Sequence, residues 1–133
     1  LITYTDALAD LSPGQLEGFF VGWPDPPTAE TLLRLLRSSS HAWIAVEDAR
    51  VVGFVTANTD GVLTAFIPLL EVLPSHQGRG IGSELVRRML AKLSDRYMVD
   101  LVCDEDVVPF YERLGLTPYR AMIVRRAEVL RKS

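Results

Sequence analysis

The apolar positions of this chain come in short blocks whose period changes along the sequence. His41-Ala42-Trp43-Ile44-Ala45-Val46 and Val51-Val52-Gly53-Phe54-Val55-Thr56-Ala57 flank the polar Glu47-Asp48-Ala49-Arg50, which predicts a β-hairpin. Leu85, Val86, Met89, Leu90 and Leu93 recur at the spacing of one helix face, predicting a helix from Ser83 to Leu93. Leu32, Leu33, Leu35 and Leu36 form a similar stripe after the start signal Thr28-Ala29-Glu30-Thr31, and Ser38-Ser39-Ser40 ends it. An earlier helix is predicted from Ser12-Pro13-Gly14-Gln15, with Ser as cap and Pro at the first helical position, carrying Leu16, Phe19 and Phe20. Ile2 to Thr5 predicts a short first strand. Gly22-Trp23-Pro24-Asp25-Pro26-Pro27 is a stiff loop that cannot be helix or central strand.

Asn58-Thr59-Asp60-Gly61 reads as a turn, with Asp-Gly as the strong signal. Val62 to Leu73 follows as a long fourth strand broken by Pro68, which forces an unpaired position or a bulge. Tyr97 to Cys103 predicts a fifth strand, parallel to the fourth through a right-handed crossover. Asp104-Glu105-Asp106 caps a short helix over Val107 to Leu114, with Gly115 as its stop. Tyr119 to Arg126 closes the chain as a final strand or pair, and a tail begins at Leu130. This order makes an α+β protein with a mixed, mostly antiparallel sheet of six to seven strands and about four helices.

Composition narrows the classes. At 133 residues the length suits one domain, 1–133, with a real core. A formal net charge of −3 argues against a general nucleic-acid binder. No apolar run approaches the roughly 20 residues of a membrane span, and the N-terminus lacks a signal-peptide pattern. The single Cys103 excludes an internal disulfide and a cysteine-based metal cluster, and fits a reducing cytoplasm.

The chemistry concentrates between the fourth strand and the third helix, at Gln77-Gly78-Arg79-Gly80-Ile81-Gly82. Three glycines at alternate positions let the backbone turn tightly and approach a ligand closely. A glycine turn leading into a helix start aims unpaired N–H groups and the positive helix-dipole end at one spot, an anion site suited to phosphate. The G-x-G-x-G spacing fits poorly with the dinucleotide fingerprint, and Ser83 follows Gly82 without the P-loop lysine.

Pro-x-x-Gln-Gly-x-Gly-x-Gly after a strand resembles the acetyl-CoA pyrophosphate loop of the GNAT N-acetyltransferase superfamily, Q/R-x-x-G-x-G/A, with Gln77, Gly80 and Gly82 in its defining positions. Val-Val-Pro-Phe-Tyr-Glu-Arg-Leu-Gly-Leu resembles the second signature, F-Y-x-x-x-G-F, through Phe110, Tyr111 and Gly115, with Leu116 for the second aromatic. The family's Asn seven residues before the Tyr is Asp104 here. The resemblance spans Trp43 to Met122 well, and residues 1–40 only by the order of elements. It implies a GNAT fold in which the parallel fourth and fifth strands splay apart to seat the cofactor arm, and Pro68 offers a local cause. It implies acetyl-CoA as cosubstrate, with no metal. The loop Gln77, Gly78, Arg79, Gly80, Ile81, Gly82 and Ser83 would hold the diphosphate. Leu70 and Val72, in an L-x-V-x-P match, would pair with the pantetheine and acetyl oxygen, and Asp104 and Phe110 would flank the cofactor.

The same resemblance makes Tyr111 the general acid, since a phenol with pKa near ~10 keeps its proton at neutral pH. Glu71 is the only acid on the central strand; base, salt-bridge partner and substrate-binding carboxylate are all open to it. The branch of the family that modifies protein lysines places its base where this chain has Phe66, so that base does not carry over. Asp60 and Asp104 are further candidates. Trp23 either lines an acceptor pocket, as that loop does in the family, or stacks on the neighbouring prolines. His76 is expected to face solvent, and Arg87, Arg88 and Lys92 to form a solvated helix face.

These readings converge on transfer of an acetyl group to a primary amine, on a small molecule or a peptide, directly within a ternary complex, because no acyl-accepting nucleophile stands out. A non-catalytic acyl-CoA sensor or interaction module is the alternative on the same fold. Members of the family are often homodimers, so a second copy is an expected partner.

Overall fold

The computed structural model describes residues 1–132. Six strands and three α-helices follow in the order β1 (Thr3–Thr5), α1 (Ala29–Ser38), β2 (His41–Glu47), β3 (Arg50–Thr59), β4 (Thr64–Ile67), β5 (Leu70–Val72), α2 (Ile81–Lys92), β6 (Met98–Leu101) and α3 (Val108–Glu112). Short 3-10 turns lie at Pro13–Leu16, Pro74–His76, Glu105–Val107 and Ala127–Lys132. The sheet runs β1-β2-β3-β4-β6, and β5 continues along the same side of β3 beyond β4. Every pairing is antiparallel except β4 with β6. No described helix is long and apolar enough to cross a membrane.

The hairpin forms as the pattern predicts. Asp48 and Ala49 at its tip take φ of 52° and 65°, the left-handed pair that matches the twist of two-residue hairpins. Strand β3 is the centre of the core. On one face Phe54 meets Phe19 and Phe20 at ring distances of 5.1 and 6.3 Å. On the other, a Cβ at Gly53 would stand 3.1 Å from Leu85 and 3.3 Å from Ile81. Glycine there lets α2 lie close against the strand.

Four expectations change. The first predicted helix is one 3-10 turn, Pro13–Leu16. Gln15 accepts from the Ser12 N–H and donates to the Ala49 carbonyl, but Gly18 at φ +95° stops any continuation, so Phe19 and Phe20 enter the core from a loop. The predicted turn at Asn58-Gly61 moves on, because β3 runs to Thr59. Asp60 then accepts N–H bonds from Val62, Leu63 and Thr64 at 2.8, 2.8 and 3.1 Å. The long fourth strand divides at Pro68 into β4 and β5. No strand forms over Tyr119 to Arg126; instead every side chain from Thr117 to Val129 is exposed. Six strands and three α-helices thus replace six to seven strands and about four helices.

Candidate active site

Pro68 has no N–H to give a ladder, and the sheet opens where it stands. Before it, Thr64–Ile67 pair in parallel with Met98–Leu101. After it, β5 pairs only with β3. The Leu69 carbonyl accepts from the Thr56 N–H at 3.1 Å, and the Leu73 N–H donates to the Val52 carbonyl at 2.9 Å. Residues 69, 71 and 73 therefore direct their backbone groups at β3. By alternation Leu70 and Val72 direct theirs into the gap beside β6. Gln77 Nε2 donates to the Val72 carbonyl at 3.0 Å, which ties β5 to the glycine loop and leaves the Val72 N–H open.

The loop itself is exposed from Gln77 to Gly80. Gly78 and Gly80 adopt φ of 77° and 81°, and Gly80 is the N-cap of α2. A Cβ at either would touch nothing within 4 Å, so backbone conformation and not space calls for glycine. The N–H groups of Gly78 to Ser83 bond to no carbonyl among the described residues, the arrangement of an anion cradle. Buried Ile81 anchors its far side in the core. Gly82 lies against Phe110 and Val72, with its Cβ position 3.5 and 3.7 Å from their carbons. Loop, strand and Phe-Tyr helix thus meet at one point.

A polar cluster the sequence did not reveal borders the loop. Glu47 holds His76 Nε2 at 2.7 Å and Arg79 Nη2 at 3.6 Å, and Ser75 Oγ sits 2.7 Å from His76 Nδ1. A carboxylate only accepts, so in the neutral ring Nε2 carries the hydrogen and Nδ1 accepts from Ser75. The bond from His76 is the main cause holding the Glu47 carboxyl below its ordinary value. His76 therefore turns inward and not, as expected, to solvent. Its partner is 29 residues away, beyond the reach of local pattern.

Tyr111 is half-buried, at 4.9 Å from Phe110 in an edge-to-face pair. Burial, with a smaller contribution from Cys103, pushes its phenol up to about 12. Asp104 is exposed in the segment after β6, at the cap of the 3-10 turn Glu105–Val107, and its carbonyl accepts from the Val107 N–H. Asp60 is occupied by its turn, and those backbone bonds lower its carboxyl to about 2.

Glu71 points to the face opposite Val72. Its two oxygens accept from the Phe20 N–H at 3.0 and 2.7 Å. Burial raises its carboxyl above the ordinary value, against the lowering effect of the Phe20 and Val21 N–H groups. Phe20 sits at φ +62°, an arrangement that costs a non-glycine residue about 1 kcal/mol. The Glu71 bonds hold it there. The Trp23 ring packs edge-on against Phe20 at 5.0 Å and stays 40% exposed. Trp23 thus rests on an aromatic partner. Arg88 leaves the expected solvated face. It lies over the Tyr4 and Trp43 rings at 4.8 and 5.1 Å and pairs with Glu84 at 2.8 Å.

A split sheet, a glycine loop capping a helix and a Phe-Tyr helix closing on both define the acyltransferase class of α+β folds. Residues 8–116 match the sequence profile of the Acetyltransferase (GNAT) family, and this chain belongs to it. A candidate acetyltransferase from Deinococcus radiodurans R1 superposes with a TM-score of 0.93 at 53% identity, over 96% of this chain and 90% of that one. A GNAT-family acetyltransferase from Streptococcus pneumoniae TIGR4 gives 0.77 at 30% identity, over 95% and 98%. By sequence, the chain is 31% identical to the histone acetyltransferase TAP1 of Glycine max, over 71% of this chain and 46% of the relative. It is 32% identical to a chloroplastic GCN5-related N-acetyltransferase of Arabidopsis thaliana, over 79% and 56%. The chain spans about half the length of these two curated relatives.

Proposed function

We propose that this protein transfers an acetyl group from acetyl-CoA to a primary amine, directly, within a ternary complex. The observation that carries the reading is the junction at Gly82. There six unbonded N–H groups, the free Val72 N–H of a split sheet and the Phe110-Tyr111 pair converge. The N–H groups of Gly78 to Ser83, with Arg79, would hold the diphosphate. Leu70 and Val72 would pair with the pantetheine amides and the acetyl oxygen, while Phe110 covers the loop and Asp104 borders the opening. Bound acetyl-CoA supplies an acetyl group on a thioester.

The chain's own residues manage the protons. Tyr111 keeps its hydroxyl hydrogen across the physiological range and donates it to the departing sulfur. Glu71, its carboxyl raised above the ordinary value by burial, takes the proton of the acceptor amine directly or through water. The loop carrying Trp23 flanks that amine.

A second reading follows from Glu71 itself. Both its oxygens already accept from the Phe20 N–H, so a chain with no spare base would bind acyl-CoA as a sensor.

Calorimetry with acetyl-CoA, CoA, ATP and NAD tests the donor; binding confined to acetyl-CoA and CoA is expected. An amine panel including lysine peptides, chosen because one relative is named a histone acetyltransferase, is then followed by free-thiol release. Binding without any thiol release would leave the sensor reading. Cytoplasmic placement is part of the proposal, since a reducing compartment keeps Cys103 a thiol.

A further inference from the structure

Beyond the end of β1, the outer edge of β2 borders an open cavity of about 390 Å³ that acetyl transfer leaves unused. Strand β1 stops at Thr5, opposite Ile44, whereas β2 begins at His41. On β3 the Val52 and Thr56 backbone groups bond toward β5. Val55 and Ala57 have the opposite parity and meet Trp43 and His41. Ala42, between those two, therefore turns its N–H and C=O to the outer edge. It lines the cavity, and no backbone group outside the sheet bonds to it among the described residues. One strand position is thus left unpaired, a template for an extended main chain.

The walls are preformed. Arg37 Nη2 donates to the Leu8, Ala9 and Leu11 carbonyls at 3.4, 3.2 and 2.9 Å, which fixes residues 8–11 against the end of α1. Leu8, Leu36 and Trp43 supply apolar surface. The Trp43 ring also carries a buried Nε1 hydrogen with no acceptor among the described residues. Charge sits around the cavity with nothing to meet it. Asp6, His41 and Lys92 all line it, yet none enters an ion pair among the described residues. Asp6 directly follows β1, and His41 opens β2. A chain laid antiparallel along Ala42, in line with β1, starts beside Asp6 and ends toward His41. An ammonium would meet the acid, and a carboxylate the two basic side chains.

We infer that this cavity binds an apolar dipeptide as an added piece of strand on the edge of β2, with its ammonium at Asp6 and its carboxylate at Lys92 and His41. The place is remote from the glycine loop. That loop begins α2 and Lys92 ends it, 12 residues and about 18 Å along the axis. Binding there uses neither the loop nor Tyr111, so it stands or falls apart from acetyl transfer.

Calorimetry with Leu-Leu tests the site, with N-acetyl-Leu-Leu, Leu-Leu amide and free leucine beside it. Saturable binding of one Leu-Leu per chain is expected. Capping either end should weaken it about tenfold or more, the loss of one hydrogen bond to a charged group. Asp6 and Lys92 are exposed, so Asp6→Asn and Lys92→Gln should leave the far-ultraviolet circular dichroism spectrum and acetyl-CoA affinity unchanged. Asp6→Asn should bind Leu-Leu no better than its N-acetylated form, and Lys92→Gln should narrow the gap between Leu-Leu and its amide. In nuclear magnetic resonance titrations the Ala42 amide should shift while those of Gly78 and Gly80 stay in place. Absence of Leu-Leu binding up to about 10 mM would overturn the proposal. So would equal binding of free and capped forms, or shifts at the glycine loop in place of Ala42. Free leucine binding more tightly than Leu-Leu would make this an amino-acid site and end the peptide assignment.

Discussion

Tyr111 holds its proton tightly because its ring is half-buried, and a phenol cannot ionise cheaply away from water. Phe in its place keeps the ring and removes only the donor. Tyr111→Phe should bind acetyl-CoA unchanged by calorimetry and lower kcat at least about tenfold, at the low end for a general acid. Equal turnover would remove the hydroxyl from the mechanism. The same shift has a stability sign. The unfolded phenol ionises near 10 and the folded one near 12, so the contribution of Tyr111 is whole below pH 10 and fades as pH climbs through 12. Absorbance at 295 nm should show one tyrosine ionising last, and Tyr111→Phe should abolish that late step. Under the proposed function Glu71 carries two duties, holding the Phe20 N–H and taking a proton, that one substitution separates. Glu71→Gln keeps one oxygen for the Phe20 N–H and removes the titrating proton. The acid limb of the kcat/KM profile should flatten while the fold loses about 1 kcal/mol. If the limb persists in that variant, Glu71 only positions the loop of Trp23.

Among the elements, the start of α2 is the most sensitive to backbone shape. Gly80 occupies φ +81° with open space around its Cβ position, so Gly80→Ala introduces no clash and tests conformation alone. The added strain is about 1–2 kcal/mol. Either the cap keeps its shape and the melting temperature falls, or φ relaxes and the N–H groups turn off target. A lowered melting temperature together with weaker acetyl-CoA binding is the expected result. Unchanged values for both would mean that the left-handed cap is not what aims the loop. Pro68 acts at the same scale. The proline was legible in the sequence as an interruption, and the structure turns it into a hinge line between a strand paired on both sides and one paired on a single side. Gln77 was legible only as a motif letter. Its observed bond to the Val72 carbonyl adds a positioning role that spacing could not reveal.

For the molecule as a whole, the two faces of β3 support different ends of the proposed site. Leu85 and Ile81 against Gly53 fix α2 and hence the loop. Phe54, fully buried between Phe19 and Phe20, fixes the segment that Glu71 fastens. Phe54→Ala should cost about 3–5 kcal/mol in denaturant melts. If folding survives, it should raise KM for the amine more than KM for acetyl-CoA, because the cavity opens on the side proposed for the acceptor. Equal changes in both constants would contradict this division of faces.

The residues that are their own neighbours determined much of this protein. Glycines at 78 and 80, the proline at 68, the hairpin between Glu47 and Arg50 and the Phe-Tyr pair each act through backbone torsions or helix spacing. Such rules operate over a few positions and can be read in order. The first helix and the last strand misled for a related reason. Gly18 overrode the start signal at Ser12, and Tyr119 to Arg126 has strand composition but pairs with no strand among the described residues. Tertiary structure alone joined Glu71 to Phe20 across 51 positions and Glu47 to His76 across 29. A carboxylate finds its donor only after the register of strands and the handedness of loops are set, and no local pattern contains that register.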